Sequence, residues 1–185
     1  MGKVYDEIDD KLAAWLNAQP MFFVSTAPLA ADGHVNVSPK GMAGTFAVLG
    51  DHRVAYLDYF GSGAETIAHL RENGRITMMW CAFTGPPKIV RLHGRGTVMF
   101  PDDPDFPTMR KEFAKEREKA VRSIIVMDVE RISDSCGYSV PNLEFVADRD
   151  ILDLHQMKRP DEYYEEYGKT RNATSIDGLP ALDRP

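Results

Sequence analysis

The chain has 185 residues, 43% of them hydrophobic, with 28 acidic and 22 basic side chains and a formal net charge of −6. That is enough chain for one domain with its own core, and the acidic balance excludes the surplus of Lys and Arg with which nucleic-acid binders neutralise phosphates. Two cysteines, Cys81 and Cys136, make neither a disulfide framework nor a zinc site.

The N-terminal MGKVYDEIDDKL lacks the apolar core of a signal peptide. No run approaches the roughly 20 apolar residues that span a bilayer. The expectation is a cytoplasmic chain with no membrane or nucleic-acid partner.

In chain order, Asp6 to Ala18 predicts a short helix with Ile8, Leu12, Trp15 and Leu16 on one stripe, ended by Pro20. MFFVSTAPL, the turn ADGH and VNVSPKG predict a hairpin. Phe46 to Leu49 and Val54 to Phe60 predict a second strand pair across Asp51 and His52. A Gly-Ser-Gly turn (Gly61 to Gly63) and a capped helix over Ala64 to Arg71 follow, with Gly74 as the stop. RITMMWCAF, the turn TGPPK and IVRLHGRGTVMF predict another hairpin. Beyond PDDPDFP, the segment from Arg110 to Arg122 interleaves Glu with Lys and Arg and reads as a solvated helix face. SIIVMDVERISDS is an alternating strand, and the tail past Val140 mixes helix and loop. At least six strands with only one helix between two of them are not a βαβ series. They predict a mainly antiparallel sheet closed into a barrel, with flanking helices.

The turn after the second strand pair carries the strongest chemical signal. Glycines at 61 and 63 permit positive φ, so several N–H groups can converge at a helix N-terminus, with the hydroxyls of Ser62 and Thr66 beside them. This is a phosphate cradle or a plain tight turn. It is not a dinucleotide fingerprint, because the third glycine is replaced by Thr66 and the next strand ends in Trp80 and Cys81 without an acid. Strand alternation puts Val35 and Val37 on the core face and Asn36, Ser38 and Lys40 opposite, with Gly41, Met42 and Gly44 following the lysine. It also turns Val90 and Leu92 inward and Arg91, His93 and Arg95 outward. The five histidines have no ligand spacing, so no metal is expected, and no nucleophile motif is present.

HVNVSPKGMAGTF, YLDYFGSGAETIAHLRENGRITMMWCAF and GPPKIVRLHGRGTV, in this order, resemble the pyridoxamine 5′-phosphate oxidase-related, FMN-binding split-barrel family over about Pro20 to Ser135. SCGYSVP and SIDGLP in the tail resemble one branch of it. The resemblance implies a single domain over 1–185, with its core at about 20–135 and a helix and loop tail over 141–185. It implies a homodimer with FMN in two interface clefts and a small-molecule substrate for an FMN-dependent oxidoreductase. A non-catalytic flavin-binding or sensory module, or a deazaflavin- or haem-binding member of the fold, stands as the alternative.

Carried over by position, Lys40 and Gly41 meet the flavin and Asn36 and Ser38 border its ring. Ser62, Gly63, Glu65 and Thr66 form the phosphate segment, and Trp80 and Arg91 lie near the cleft. True pyridoxamine phosphate oxidases place an Arg-Lys pair where this chain has Glu65 and Thr66, so Lys40 or Arg91 would have to compensate, and vitamin B6 oxidation is not expected.

Overall fold

The structure, a computed structural model, describes residues 2–183. Its strands are β1 (Val4–Tyr5), β2 (Met21–Thr26), β3 (Asn36–Gly41), β4 (Phe46–Gly50), β5 (Arg53–Tyr59), β6 (Arg75–Cys81), β7 (Ile89–Met99) and β8 (Val121–Ser135). Its helices are α1 (Asp10–Asn17), α2 (Glu65–Asn73), α3 (Phe106–Met109), α4 (Ile151–Met157) and α5 (Asp161–Thr170). All strands form one antiparallel sheet in the order β3-β2-β6-β7-β8-β5-β4, with β1 added on β8.

Both hairpins form in register, Met21 to Thr26 against Gly41 to Asn36, and Arg75 to Cys81 against Arg95 to Ile89. The fifteen-residue β8 is the spine, laddered to β5 and β7 along its first half and to β7 and β1 along its second. Between β7 and β8 the register shifts after His93. At the adjoining Gly94 a Cβ would stand 2.0 Å from the Asp128 carbonyl oxygen, so only glycine admits that approach.

The sheet curls into a half-barrel. Its end strands β3 and β4 share no ladder among the described residues, and the curl is held by side chains. Trp80 on β6 stacks on Phe22 of β2 at 5.1 Å and meets Phe46 of β4 edge-on at 5.1 Å, while Phe22 also touches Tyr56 of β5 at 5.6 Å. Rings from four strands therefore close the interior that hydrogen bonds leave open. α1 covers one mouth with Ile8, Leu12 and Leu16 just before and along it. Its first turn is capped by Asp9, whose carboxylate accepts the Leu12 N–H at 2.7 Å. α2 adds Ile67, Ala68 and Leu70 to the interior and ends on left-handed Gly74 (φ 71). On the outer face of β5 and β8, Leu57, Ile124 and Val126 pack under Phe106 and Phe113.

Two expectations are corrected. Val35 and Val37 do not face the core; they are 67% and 62% exposed, and Asn36, Ser38 and Lys40 turn inward. β3 is an end strand, and its polar side is claimed by partners on β5 and α2, which outweighs valine burial. The second correction concerns Arg110 to Arg122, which is not a solvated helix. After α3 and one 3-10 turn (Arg110–Glu112) the backbone is irregular up to β8, with Ala120 at positive φ (64). Arg110 is buried and donates to the carbonyls of Lys115 and Arg117, while the Arg117 guanidinium lies 3.9 Å from the centre of the Tyr59 ring. These arginines bind loop carbonyls and a ring that a helix would leave unused.

Phe22→Ala should lower stability by about 3–5 kcal/mol, because it empties the centre of the aromatic cluster. Val37→Thr should stay within about 0.5 kcal/mol if its side faces outward. Urea unfolding of both variants, at concentrations where light scattering reads a monomer, checks the facing of β3: a large loss at Val37 would reverse it.

Candidate functional site

The site is organised from Asp58, the one acid in strand β5 and only 2% exposed. Its Oδ1 accepts from Lys40 Nζ at 3.1 Å, and its Oδ2 from Arg122 Nε at 2.8 Å and from the Ser123 hydroxyl at 3.3 Å. Strict alternation along β8 would send Arg122 outward, since Ser123 points to Asp58 and Ile124 packs on the outer face. A bulge prevents this: Asp58 pairs with Ser123, but Tyr59 pairs with Val121, so Arg122 is the extra residue and swings inward. Burial pushes the Asp58 carboxyl up, but Arg122 and Lys40 more than reverse this and hold its pKa at about 2.

From there Arg122 reaches the turn. Its Nη1 donates to the Gly63 carbonyl and to Asn172 Oδ1, both at 2.8 Å, and the Asn172 amide donates to the Gly61 carbonyl at 3.1 Å. In a trans peptide the N–H lies opposite the C=O. Holding the Gly61 and Gly63 carbonyls inward therefore turns the N–H groups of Ser62 and Ala64 away from Arg122. Among the described residues no N–H from Gly61 to Ile67 donates to a protein acceptor. These N–H groups are thus left open, and the turn itself is shaped differently from the expectation. Neither Gly61 nor Gly63 has positive φ, and side chains reaching the turn's carbonyls shape it instead. The helix is also not capped as expected: Ala64 occupies the N-cap position and offers no side-chain bond. At Gly63 a Cβ would meet only the Glu65 carboxylate, with Oε2 2.4 Å away, a flexible group that can move aside.

The inner face of β3 joins the same region. Asn36 donates to Thr26 Oγ1 at 3.1 Å and to Thr66 Oγ1 at 3.0 Å, and Ser38 donates to Asn36 Oδ1 at 3.0 Å. Thr26 Oγ1 is 2.9 Å from His69 Nδ1. The His69 Nε2 atom is buried and meets no hydrogen-bond partner among the described residues. Burial lowers the His69 pKa, in keeping with a neutral ring.

A cleft of about 580 Å³ runs from Lys40 and Gly41 past Met42, Leu57 and Phe60 to Gly61, under Ile151 and Leu152 of α4. That roof is clamped: Asp153 pairs with Lys115 at 2.6 Å and Arg117 at 3.3 Å, and the Gln156 amide donates to the Phe60 carbonyl at 2.7 Å.

Asn36, Ser38, Lys40, Gly41, Ser62, Gly63, Glu65 and Thr66 thus gather along one inner face and one turn. Trp80 and Arg91 do not join them as a pair. Trp80 is in the aromatic core and borders a neighbouring cleft of about 510 Å³ with Gly41. Arg91 pairs with Met79 rather than with Trp80's partner Val90, so it lies on the opposite sheet face, donating to the Ser135 hydroxyl at 2.9 Å. The cation behind the turn is Arg122, and sequence reasoning missed it together with Asp58, Asn172, Thr26 and His69. For Asp58 a signal existed, a lone acid on the inner register of an apolar strand, which must find a cation. Among the described residues no cluster of His, Cys, Asp and Glu could hold a metal ion, and no helix is long and apolar enough to cross a membrane.

A carboxyl with a lowered folded-state pKa stabilises above its unfolded value of 3.8, and that contribution is lost as pH falls toward about 2. Asp58 should therefore contribute on the order of 2 kcal/mol that disappears across this window. Asp58→Asn should flatten the acid limb of a stability profile measured by urea unfolding, while costing about 3–5 kcal/mol at neutral pH by leaving Arg122 without its carboxylate.

The family model described as Pyridoxamine 5'-phosphate oxidase matches residues 8–136. The Pyridoxamine 5'-phosphate oxidase family protein ustO of Aspergillus flavus is 38% identical, over 96% of this chain and 77% of that protein. In fold, the chain is similar to the crystal structure of HupZ from Group A Streptococcus, with a TM-score of 0.54 and 19% identity over 74% of this chain and 99% of that one. An FMN-binding protein from Syntrophomonas wolfei aligns with a TM-score of 0.48 and 15% identity, over 65% of this chain and 79% of that one. With most of its length matched by the family model and by a relative of this identity, the chain belongs to the pyridoxamine 5′-phosphate oxidase family.

Proposed function

We propose that this protein binds FMN in the cleft between Lys40 and the Gly61–Gly63 turn and acts as an FMN-dependent oxidoreductase on a small molecule. The observation that carries the reading is an apolar slot with a lysine on its wall that ends at Gly61, from which the chain leads through the turn to a helix start whose N–H groups have no protein acceptor among the described residues. The volume is in the range of cofactor pockets, about 300–1,000 Å³. The donor set suits an anion at one end and a flat ring along the rest. Family membership points the same way.

When bound, the flavin supplies the hydride or electron transfer. The chain's own residues have four tasks. Met42, Leu57 and Phe60 exclude water from the ring. Lys40 presents positive charge at the wall, with its Nζ fixed by Asp58 at 3.1 Å. Asn36 and Ser38 continue the hydrogen-bonding face of β3 beyond it. Arg122 holds the turn from behind and adds positive potential beneath it. A homodimer belongs to the proposal: the outward side of β3 and the residue before it expose Val37 and Val35, an apolar pair suited to a second copy.

Lys40→Ala should weaken FMN binding about tenfold in a flavin-fluorescence titration, through loss of one charge–ring contact of about 1.4 kcal/mol. Asp58 keeps Arg122 in that variant, so the fold should survive. Mass spectrometry of the co-purifying small molecule tests the cofactor directly: FMN is expected, and a deazaflavin or haem would replace this reading. Flavin bleaching by a reduced nicotinamide, followed by reoxidation, is the expected sign of turnover, and light scattering reads the dimer.

A further inference from the structure

A second cleft, of about 510 Å³, lies beside the first and shares Gly41, Met42, Thr45 and Asp148 with it. Its lining is aromatic. Phe22, Phe46 and Trp80 face it from the sheet with ring centres 5.1–5.4 Å apart, and Phe83 and Phe145 add two more rings. Asp148 is the one charged residue that lines it among the described residues, and its Oδ2 accepts the Ala43 N–H at 2.9 Å. The C-terminal end of α1 forms part of the rim, and there the Asn17 and Gln19 amides donate back to the Ala13 and Trp15 carbonyls at 3.0 and 2.9 Å. The Thr45 hydroxyl is held within its own loop, 2.9 Å from the Gly41 and Met42 carbonyls. The first cleft differs in having Lys40 and Arg149 in its lining. An anion in the second would face a carboxylate and the negative end of a helix dipole, with no cation to pair with.

Residues 141–150, irregular in backbone, lead over this cleft to α4. They are pinned twice, by the Leu143 N–H on the Phe83 carbonyl at 2.9 Å and by Asp148 on Ala43. Between the pins Phe145 lines the cleft and is still 56% exposed, so its ring keeps apolar surface for an occupant to cover.

We propose that the second cleft is the substrate subsite and takes an uncharged molecule bearing an aromatic ring. The inference rests on the flavin reading above and deepens it. A flat ring gains face and edge contacts from five aromatic neighbours that a saturated ring does not, and a carboxylate or phosphate is rejected. The shared wall at Gly41 and Met42 sets the occupant next to the flavin cleft.

The test titrates 2-naphthol, the anion 2-naphthoate and the saturated 2-decalol into the full chain, with and without FMN, and follows amide and indole NMR signals. Naphthol should give saturable shifts at Ala43, Thr45, Phe83 and the Trp80 indole, and bind about tenfold tighter than naphthoate. Decalol should bind more weakly than naphthol. Phe145→Ala should weaken naphthol about fivefold, while Val146→Ala, 90% exposed and lining neither cleft, should leave it unchanged. With FMN loaded, naphthol should shift the flavin absorbance bands. Equal affinity for naphthol and naphthoate, shifts that miss these residues, or a loaded flavin indifferent to bound naphthol overturns the proposal. If FMN does not bind at all, the flavin reading fails. The free chain then decides for the cleft: preference for naphthol at the same residues sustains an aromatic site, and no preference removes it.

Discussion

The ion pair between Asp58 and Arg122 is the constraint on which the rest of the site depends. Taken alone, a buried pair of this kind adds little net stability, because desolvating both partners offsets most of their attraction. What it fixes is geometry. Asp58 is already committed to Arg122 and Ser123 on one oxygen, and its other oxygen can take Lys40. Arg122, once inside, has donors left over and meets the turn's carbonyl oxygen and Asn172. Lysine, turn and tail are thus placed by a single carboxylate. Each remaining bond satisfies a group that would otherwise be buried with nothing to bind, so the arrangement holds as a unit.

A bulge in β8 makes this possible. An unbroken strand would have put Arg122 with Ile124 and Val126, against the apolar outer cluster. One extra residue transfers a cation from that cluster to the inner face without disturbing the alternation of Ile125 and Met127 further along. The local cost of an interrupted ladder is set against a charge pair that could not form otherwise. The same device shapes the other side of β8, where the shift after His93 brings two backbones to a distance only Gly94 tolerates.

Most strands and their pairing were legible because period-two alternation and turn residues act locally, as in MFFVST against NVSPKG. The facing of β3 was not. Hydrophobicity assigned Val35 and Val37 inward, whereas long-range bonds from Asn36 to Thr66 and from Lys40 to Asp58 decide it the other way. The segment from Arg110 to Arg122 failed for a related reason. Its charges have helical spacing, but Tyr59 and backbone carbonyls far from helical register bind them more strongly. At the turn, Gly61 and Gly63 marked the right place with the wrong mechanism. Their carbonyls are held by side chains 59 and 111 positions away, a separation no local pattern reports.

The tail follows from the same logic. A helix start whose N–H groups face outward leaves both its carbonyl side and its amide side in need of partners. Arg122 and Asn172 serve the first, while the second has no protein acceptor among the described residues and the nearby Glu65 carboxylate accepts the Ile176 N–H. One residue of the C-terminal segment thus braces the turn from behind while another holds the Glu65 carboxylate. In a family fold whose barrel ends near Ser135, the segment from Asn172 to Asp183 is then part of the site's architecture. Its apolar anchors, Leu179, Ala181 and Leu182 against the core, give it the energy to stay docked.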